Sequence, residues 1–455
     1  MASTQQQPPS RNYTHLDAAA DEAVAAERGT VESGTTEVRN PLAPPTSEPP
    51  TTLTGAAEPL QPPEDEEPDG SKFRAVVAVV RCMVGPAALY IPKGFADAGL
   101  AGGLICVTVA MALFAFGMAR LIASWRHARA NGINSPGLDG VAYALAGKWA
   151  GHSATFCVTA MQCGVGVTYY IFVAENVDML APSSANLTMG AVILAMAVLE
   201  APLSLFKRLQ RLHGLNAAGN MLVALALFTI FAVALERLDR EGPAPSNYGV
   251  GPPGKVLTFA GTAVFAFEGT ASIVVPVCDA TAREHRGSLE YVVVGATAAV
   301  ACAYALFGIA CSLAFGRRVD VIVAESLPQT WWPGGLVRLA YVLVVLVTFP
   351  LQLFPVSDLV SRGRQGWWSA LPRLALVGVL ALLAFAFRHR LDHVVSLLGA
   401  LACAPLALVV GPWAHLSVAA TPRARLLDRA CICVGWVICV AATANALATW
   451  RDAAS

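Results

Sequence analysis

Long runs of apolar residues, separated by short polar or Gly- and Pro-containing stretches, repeat along the chain from Phe73 to its end. A bilayer core about 30 Å thick takes about 20 apolar residues per helix. Eleven runs of that size occur, near residues 74–94, 99–124, 153–180, 188–206, 214–236, 255–277, 290–315, 335–360, 370–388, 392–418 and 429–450. Numbered spans 1 to 11, they predict an all-α polytopic membrane protein of about eleven transmembrane helices, occupying residues 73–455. Residues 1–72 break the pattern. They are rich in Pro, Thr, Ala, Ser and Glu and have no aromatic residue between Tyr13 and Phe73. Such a segment cannot bury enough apolar surface to offset chain entropy, so it is expected to be a disordered acidic tail. No apolar stretch long enough for a signal peptide precedes Phe73. Within the tail, Glu64 to Asp69 forms an acidic knot, which is either a solvated charge run or a sorting or regulatory element.

Composition sharpens this picture. The 455 residues are 55% hydrophobic and 14% charged, where a soluble domain carries about a quarter charged, and a soluble globule is excluded. The net charge of zero is a cancellation: residues through Lys72 hold 13 acidic and 4 basic groups, the rest 18 acidic and 27 basic. In a membrane protein that basic excess sets orientation rather than binding nucleic acid, since Lys and Arg collect in cytosolic connections. With the tail in the cytosol, the inner connections hold Arg120, Arg126, Arg129, Lys148, Lys207, Arg208, Arg211, Arg283, Arg286, Arg362, Arg364, Arg373, Arg423, Arg425 and Arg429, beside Lys72 and Arg74. The same topology places the Asn186-Leu187-Thr188 sequon outside, making Asn186 a glycosylation candidate. All 11 cysteines lie in or beside apolar runs without metal-type spacing, so neither disulfides nor a metal site is expected, and no cofactor motif occurs.

Spans 1 and 6 echo each other. Gly85 to Pro92 in span 1 and Gly269 to Pro276 in span 6 each set a Gly seven residues before a Pro. Matched interruptions in the first and sixth helices fit a five-plus-five inverted repeat with one extra helix, whose unwound centres face each other near the bilayer midplane. Irregular backbone at that depth must line a cavity or be buried in protein. Pro86, opening a restarted half-helix, loses no intrahelical bond, and the free N–H groups after it, with the positive end of the half-helix dipole, suit a carboxylate. Unwinding is expected around Gly85–Ala87 and around Glu268–Thr270.

These residues carry a resemblance. Gly261-Thr262-Ala263-Val264-Phe265-Ala266-Phe267-Glu268-Gly269 through Pro276 resembles the sixth helix of the amino acid/auxin permease family, in its proton-coupled and vacuolar amino acid transporter branch. Gly85 through Pro92, continuing into Lys93-Gly94-Phe95 and Ala98-Gly99-Leu100, is similar to that family's first helix. Further matches are Gln162, Gly164, Tyr169, Phe172 and Glu175-Asn176 in span 3, Phe349-Pro350-Leu351-Gln352 in span 8 and Ser396-Leu397-Leu398-Gly399-Ala400 in span 10. The resemblance covers residues 72–450. It implies a LeuT-like fold, secondary active transport of amino acids and proton coupling, with sodium the other candidate ion. Pro86 and Ala87 depart from the family's usual Thr and Gly, and Met83 stands where the branch often has Asn, so the substrate carboxylate meets a changed surface.

The echo and the resemblance single out Gly85, Pro86, Ala87, Tyr169, Phe265, Phe267, Gly269 and Thr270 as substrate-binding candidates. Glu268 is the coupling candidate, as the only acidic residue placed near the middle of an apolar run; an intramembrane carboxyl faces an aqueous cavity or is protonated. A structural carboxyl is the alternative reading. Gln162, Tyr169 and Asn176 recur every seven residues and share a helix face. Arg81 is expected to snorkel or pair structurally, Glu175 and Asp178 to sit near the outer boundary, and His152, His213, His389, His393 and His415 to lie at span ends. No GxSxG, HExxH or P-loop is present, which argues against an enzyme or an ATP-driven pump. A membrane sensor that binds an amino acid without net transport is the rival reading, and the home membrane is plasma membrane or vacuolar/lysosomal membrane.

Overall fold

The computed structural model describes residues 70–134, 137–180, 188–205, 213–267, 269–327, 332–361 and 367–449. The acidic tail through Asp69, Asn186 and Glu268 lie outside the described residues.

Each expected apolar run has its helix. Span 1 is two helices, Lys72–Met83 and Pro86–Ala98, bent by 48°. Then come span 2, Leu100–Ala130; span 3, Lys148–Leu180; span 4, Met189–Leu203; and span 5, His213–Glu241. Span 6 comprises Pro253–Phe267 and Gly269–Ala280. Spans 7, 8 and 9 are Leu289–Phe315, Trp332–Ser361 and Trp367–Phe387; spans 10 and 11 are Leu391–Leu416 and Pro422–Thr449. Span 4, with 15 residues, is about 22 Å long at 1.5 Å per residue, shorter than the bilayer core. A short helix, Gly137–Ala146, joins spans 2 and 3.

Contacts at the helix ends show that successive spans cross in alternate directions. On the face where span 1 begins, here the tail face, the Gly70 N–H donates to the Ala280 carbonyl at the foot of span 6. On the opposite face, Thr449 at the end of span 11 bonds His393 at the start of span 10. The turn between spans 1 and 2 shows why the chain can reverse tightly there. Gly99 takes φ +76°, and a Cβ on it would overlap the Gly249 carbonyl oxygen, so only glycine meets both demands. The segment after span 5 then caps span 2: Asn247 and Tyr248 carbonyls accept from the Leu100 and Ala101 N–H groups, two donors with no partner inside the helix.

The outer surface is lipid-like. Leu194, Val198, Leu225, Phe228, Leu382 and Val437 are all more than half exposed, while Trp149, Trp332, Trp367 and Trp368 stand exposed at span starts, as aromatic belts at membrane interfaces do. Among the described residues no two cysteines are joined in a disulfide; seven are buried, as expected, whereas Cys82, Cys302 and Cys433 are exposed.

Candidate functional site

The two halves of span 1 are split by local chemistry. Lys72–Met83 ends when Val84 leaves helical geometry at ψ 95° and Gly85 follows with φ −146° and ψ −157°. Pro86 then restarts the helix from its first position, where its missing N–H costs nothing. A Cβ on Gly85 would meet nothing within 4 Å, so the break opens onto free space. Gly85, Pro86 and Ala87 are each half-buried. The Gly85 and Ala87 N–H groups make no backbone hydrogen bond to any described residue. Arg81 is exposed at the end of the first half-helix, where a cation favours the helix dipole.

Span 6 crosses span 1 here. The first half of span 1 packs on Gly269–Ala280 and the second half on Pro253–Phe267, so the junctions of both spans meet. At the crossing a Cβ on Gly269 would overlap the Cys82 carbonyl oxygen; the glycine is required by backbone approach. The expectation of unwinding through Thr270 needs correction, because Gly269 and Thr270 are the first helical residues of the second segment. The physical difference lies after the shared Gly: span 1 continues with Pro86, which has no N–H, whereas span 6 continues with Thr270, which can stay in the helical ladder.

Tyr304 of span 7 was not foreseen. Its buried hydroxyl donates to the Met83 carbonyl at 2.7 Å, with the Ala266 carbonyl 3.5 Å away, so one side chain satisfies the carbonyl left at the break and touches both crossed spans. Nothing local in the sequence marks it, since its role exists only once three helices are assembled. Phe267, expected to bind substrate, is fully buried between Phe114 and Tyr304 and serves packing. Phe265 is also buried.

The expected polar face of span 3 is partly realised. Gln162 hydrogen-bonds Gln352 of span 8, and the Tyr169 side chain lies beside Thr348, also of span 8. Asn176 instead turns its amide onto the Phe172 carbonyl of its own helix at 2.9 Å. Span 10 is held tight against span 6, since a Cβ on Gly399 would overlap the Gly261 carbonyl. At that level it winds as a π-helix over Gly399–Cys403, a local irregularity common at functional sites.

Ion pairs close the tail face. Arg129 of span 2 grips Asp279 of span 6 with two bonds of 2.7 and 2.8 Å, and Trp125 adds a third of 2.8 Å to the same carboxylate. Asp428 of span 11 is fully buried, bonded to His415 of span 10 at 2.6 Å. Arg120 Nε lies 2.9 Å from its other oxygen as an ion pair lacking hydrogen-bond alignment. His393 and His415 therefore sit at span ends as expected, each beside a carboxylate. Among the described residues no cluster fit to hold a metal ion occurs.

On the opposite face, Arg338 at the start of span 8 donates to the Leu327 and Ala324 carbonyls at 2.6 and 3.3 Å and folds the segment after span 7 over the bundle. Burial, reinforced by Asp320 and opposed by Arg338, lifts the Glu325 carboxyl from 4.5 to about 7. The folded segment therefore holds more protons than the unfolded chain between those values, and its stability falls as pH rises through that window. We expect the protection of residues 319–327 against hydrogen exchange, taken relative to the intrinsic rate at each pH, to fall between about pH 5 and about pH 8 by the equivalent of about 1 kcal/mol once solvent screening is allowed for. Glu325→Gln should flatten the dependence; an unchanged slope in that variant would remove Glu325 as its source.

Comparison with known proteins agrees with this architecture. The sequence model of a family described as "Transmembrane amino acid transporter protein" matches residues 68–448. The vacuolar amino acid transporter 3 of Saccharomyces cerevisiae is 27% identical over 380 residues, covering 78% of this chain and 53% of that protein. The chain thus spans about half the length of the yeast relative. Amino acid transporter AVT3B of Arabidopsis thaliana is 26% identical over 395 residues, covering 84% of this chain and 94% of that protein. Among solved structures, MhsT in complex with L-phenylalanine superposes with a TM-score of 0.54 at 15% identity, covering 84% of this chain and all of that one. An inward-facing conformation of Mhp1 gives a TM-score of 0.52 at 12% identity, covering 85% and 92%. The fold is the LeuT-like one that the family resemblance implied.

Proposed function

The chain belongs to the transmembrane amino acid transporter family, the amino acid/auxin permeases, and from that premise we propose that it is a secondary active amino acid transporter working by alternating access around spans 1 and 6. The observation that carries the reading is the break at Gly85, with unpaired Gly85 and Ala87 N–H groups beside open space. Freed amides at the start of a half-helix are suited to a substrate carboxylate, and Tyr169 and Gly269 belong to the spans that flank or cross it. Glu268 is proposed as the proton-coupling carboxyl, with sodium the alternative ion. The membrane proposed is vacuolar or lysosomal, in keeping with the names of the yeast relatives, with a cytosolic N-terminus and Asn186 on the far side.

A sensor that binds without transporting has one observation in its favour. The residue at the junction of the acidic tail and span 1, Gly70, is bonded to both Ala280 and Ala282, which ties that junction to the foot of span 6, so a partner pulling on the tail would act on the crossing helices. Exchange separates the two readings. Proteoliposomes loaded with unlabelled amino acids should take up labelled amino acid by counterflow; saturable binding with no counterflow would establish the sensor instead.

A further inference from the structure

Glu200 of span 4 lies fully buried, and neither carboxyl oxygen has a hydrogen-bond partner among the described residues. It continues the inward stripe of Val192, Ile193 and Met196, while Leu194 and Val198 of the same helix face outward. Its depth follows from helix geometry. Glu200 is 11 residues below Met189, where span 4 starts, and Tyr170 is 10 residues below Leu180, where span 3 ends on the same face. At 1.5 Å per residue both stand about 15–17 Å from those helix ends, Glu200 in the last turn of span 4.

Spans 3, 8 and 9 pack around span 4. Tyr170 stands on span 3, which packs against span 4, and its hydroxyl is likewise buried without a hydrogen-bond partner among the described residues. Its ring is fixed edge-on to Phe349 of span 8 at 5.0 Å. One turn away, Gly166 leaves room for only Leu353 of span 8 and Leu380 of span 9. The buried cation of span 9, Arg373, is bonded through Nε and Nη2 to Ser361 of span 8 at 3.2 and 3.0 Å, its Nη1 making no hydrogen bond among the described residues, and it makes no ion pair with Glu200. No cation compensates Glu200 among the described residues. An ionised carboxylate without a donor in such a place costs several kcal/mol, and a bound sodium ion would need a shell of oxygens that Tyr170 alone does not supply. A proton is the one cation that satisfies this site.

We propose that Glu200, with Tyr170 beside it, forms a buried proton-binding site between spans 3 and 4, loaded in the conformation described and discharged when the surrounding spans separate and admit water. The site's part in coupling rests on the proposed proton-driven transport; its occupancy does not.

The test uses the whole protein and a carbodiimide, dicyclohexylcarbodiimide, which reacts with protonated carboxyls in apolar surroundings. Peptide mass spectrometry should find the adduct on Glu200 near about pH 7, where exposed carboxyls are ionised, and should find it lost in alkali; Tyr170→Phe should shift the pH at which it is lost. In proteoliposomes Glu200→Gln should lower pH-gradient-driven accumulation at least about tenfold. Glu200→Met should keep or raise thermal stability, because a packed apolar residue replaces an unpaired polar one. No adduct at any pH, or wild-type accumulation by Glu200→Gln, would overturn the proposal, as would a sharply destabilised Glu200→Met, which would make the carboxyl structural. If the wild-type protein shows no response to a pH gradient, the proton-driven reading fails, and the adduct titration still decides whether Glu200 holds a proton.

Discussion

Gly269→Val is expected to abolish amino acid uptake while the protein still inserts and is recovered from membranes. A Cβ at Gly269 would overlap the Cys82 carbonyl, and this oxygen belongs to the last turn of the first half of span 1. The backbone cannot yield as a flexible side chain would, so the two spans must separate at the point where the proposed site forms. Overpacking of this kind costs about 1–3 kcal/mol, which a large bundle survives, but a shift of about 1 Å at a binding site can cost about a hundredfold in activity. Gly269→Ala carries the same first atom and is expected to be impaired as well. Full uptake by Gly269→Val would show that the crossing is looser than described and that the site lies elsewhere.

Glu268→Gln is expected to separate exchange from accumulation. If the Glu268 carboxyl takes up a proton as substrate binds, protonation removes a charge that would resist passage between the two access states. Gln resembles the protonated acid in shape and charge. The variant should therefore exchange amino acid at equal concentrations while losing at least about tenfold of the accumulation driven by a pH gradient. Undiminished gradient-driven accumulation would take Glu268 out of the coupling role, whereas loss of both activities would favour a structural carboxyl.

The architecture was legible because bilayer thickness imposes a run length that few other constraints produce, and each expected run is matched by a helix. The break in span 1 was legible for a related reason, since Gly85 followed by Pro86 leaves the helical ladder two unfavourable residues in a row. Span 6 shows the limit of the echo: Gly269 matches Gly85, but Thr270 keeps the N–H that Pro86 lacks, and the helix resumes at once. The pairing of Gln162 with Gln352 joins two polar residues that stood out against apolar surroundings. The packing of Phe267 against Phe114 and Tyr304 was not legible, because an aromatic in a motif stretch reads the same whether it faces a site or the core. Tyr304 and Glu200 remained hidden for a different reason. In helices apolar on nearly every side, the sequence does not say which face is inward.

We propose that this protein moves amino acids across a membrane at the expense of a proton gradient. Purified protein in proteoliposomes, given labelled amino acids with and without an imposed pH gradient, tests it most directly. The account predicts accumulation above equilibrium only when the gradient is present, collapsing when a protonophore is added. Uptake that merely equilibrates, identical with and without the gradient and unaffected by the protonophore, would contradict it.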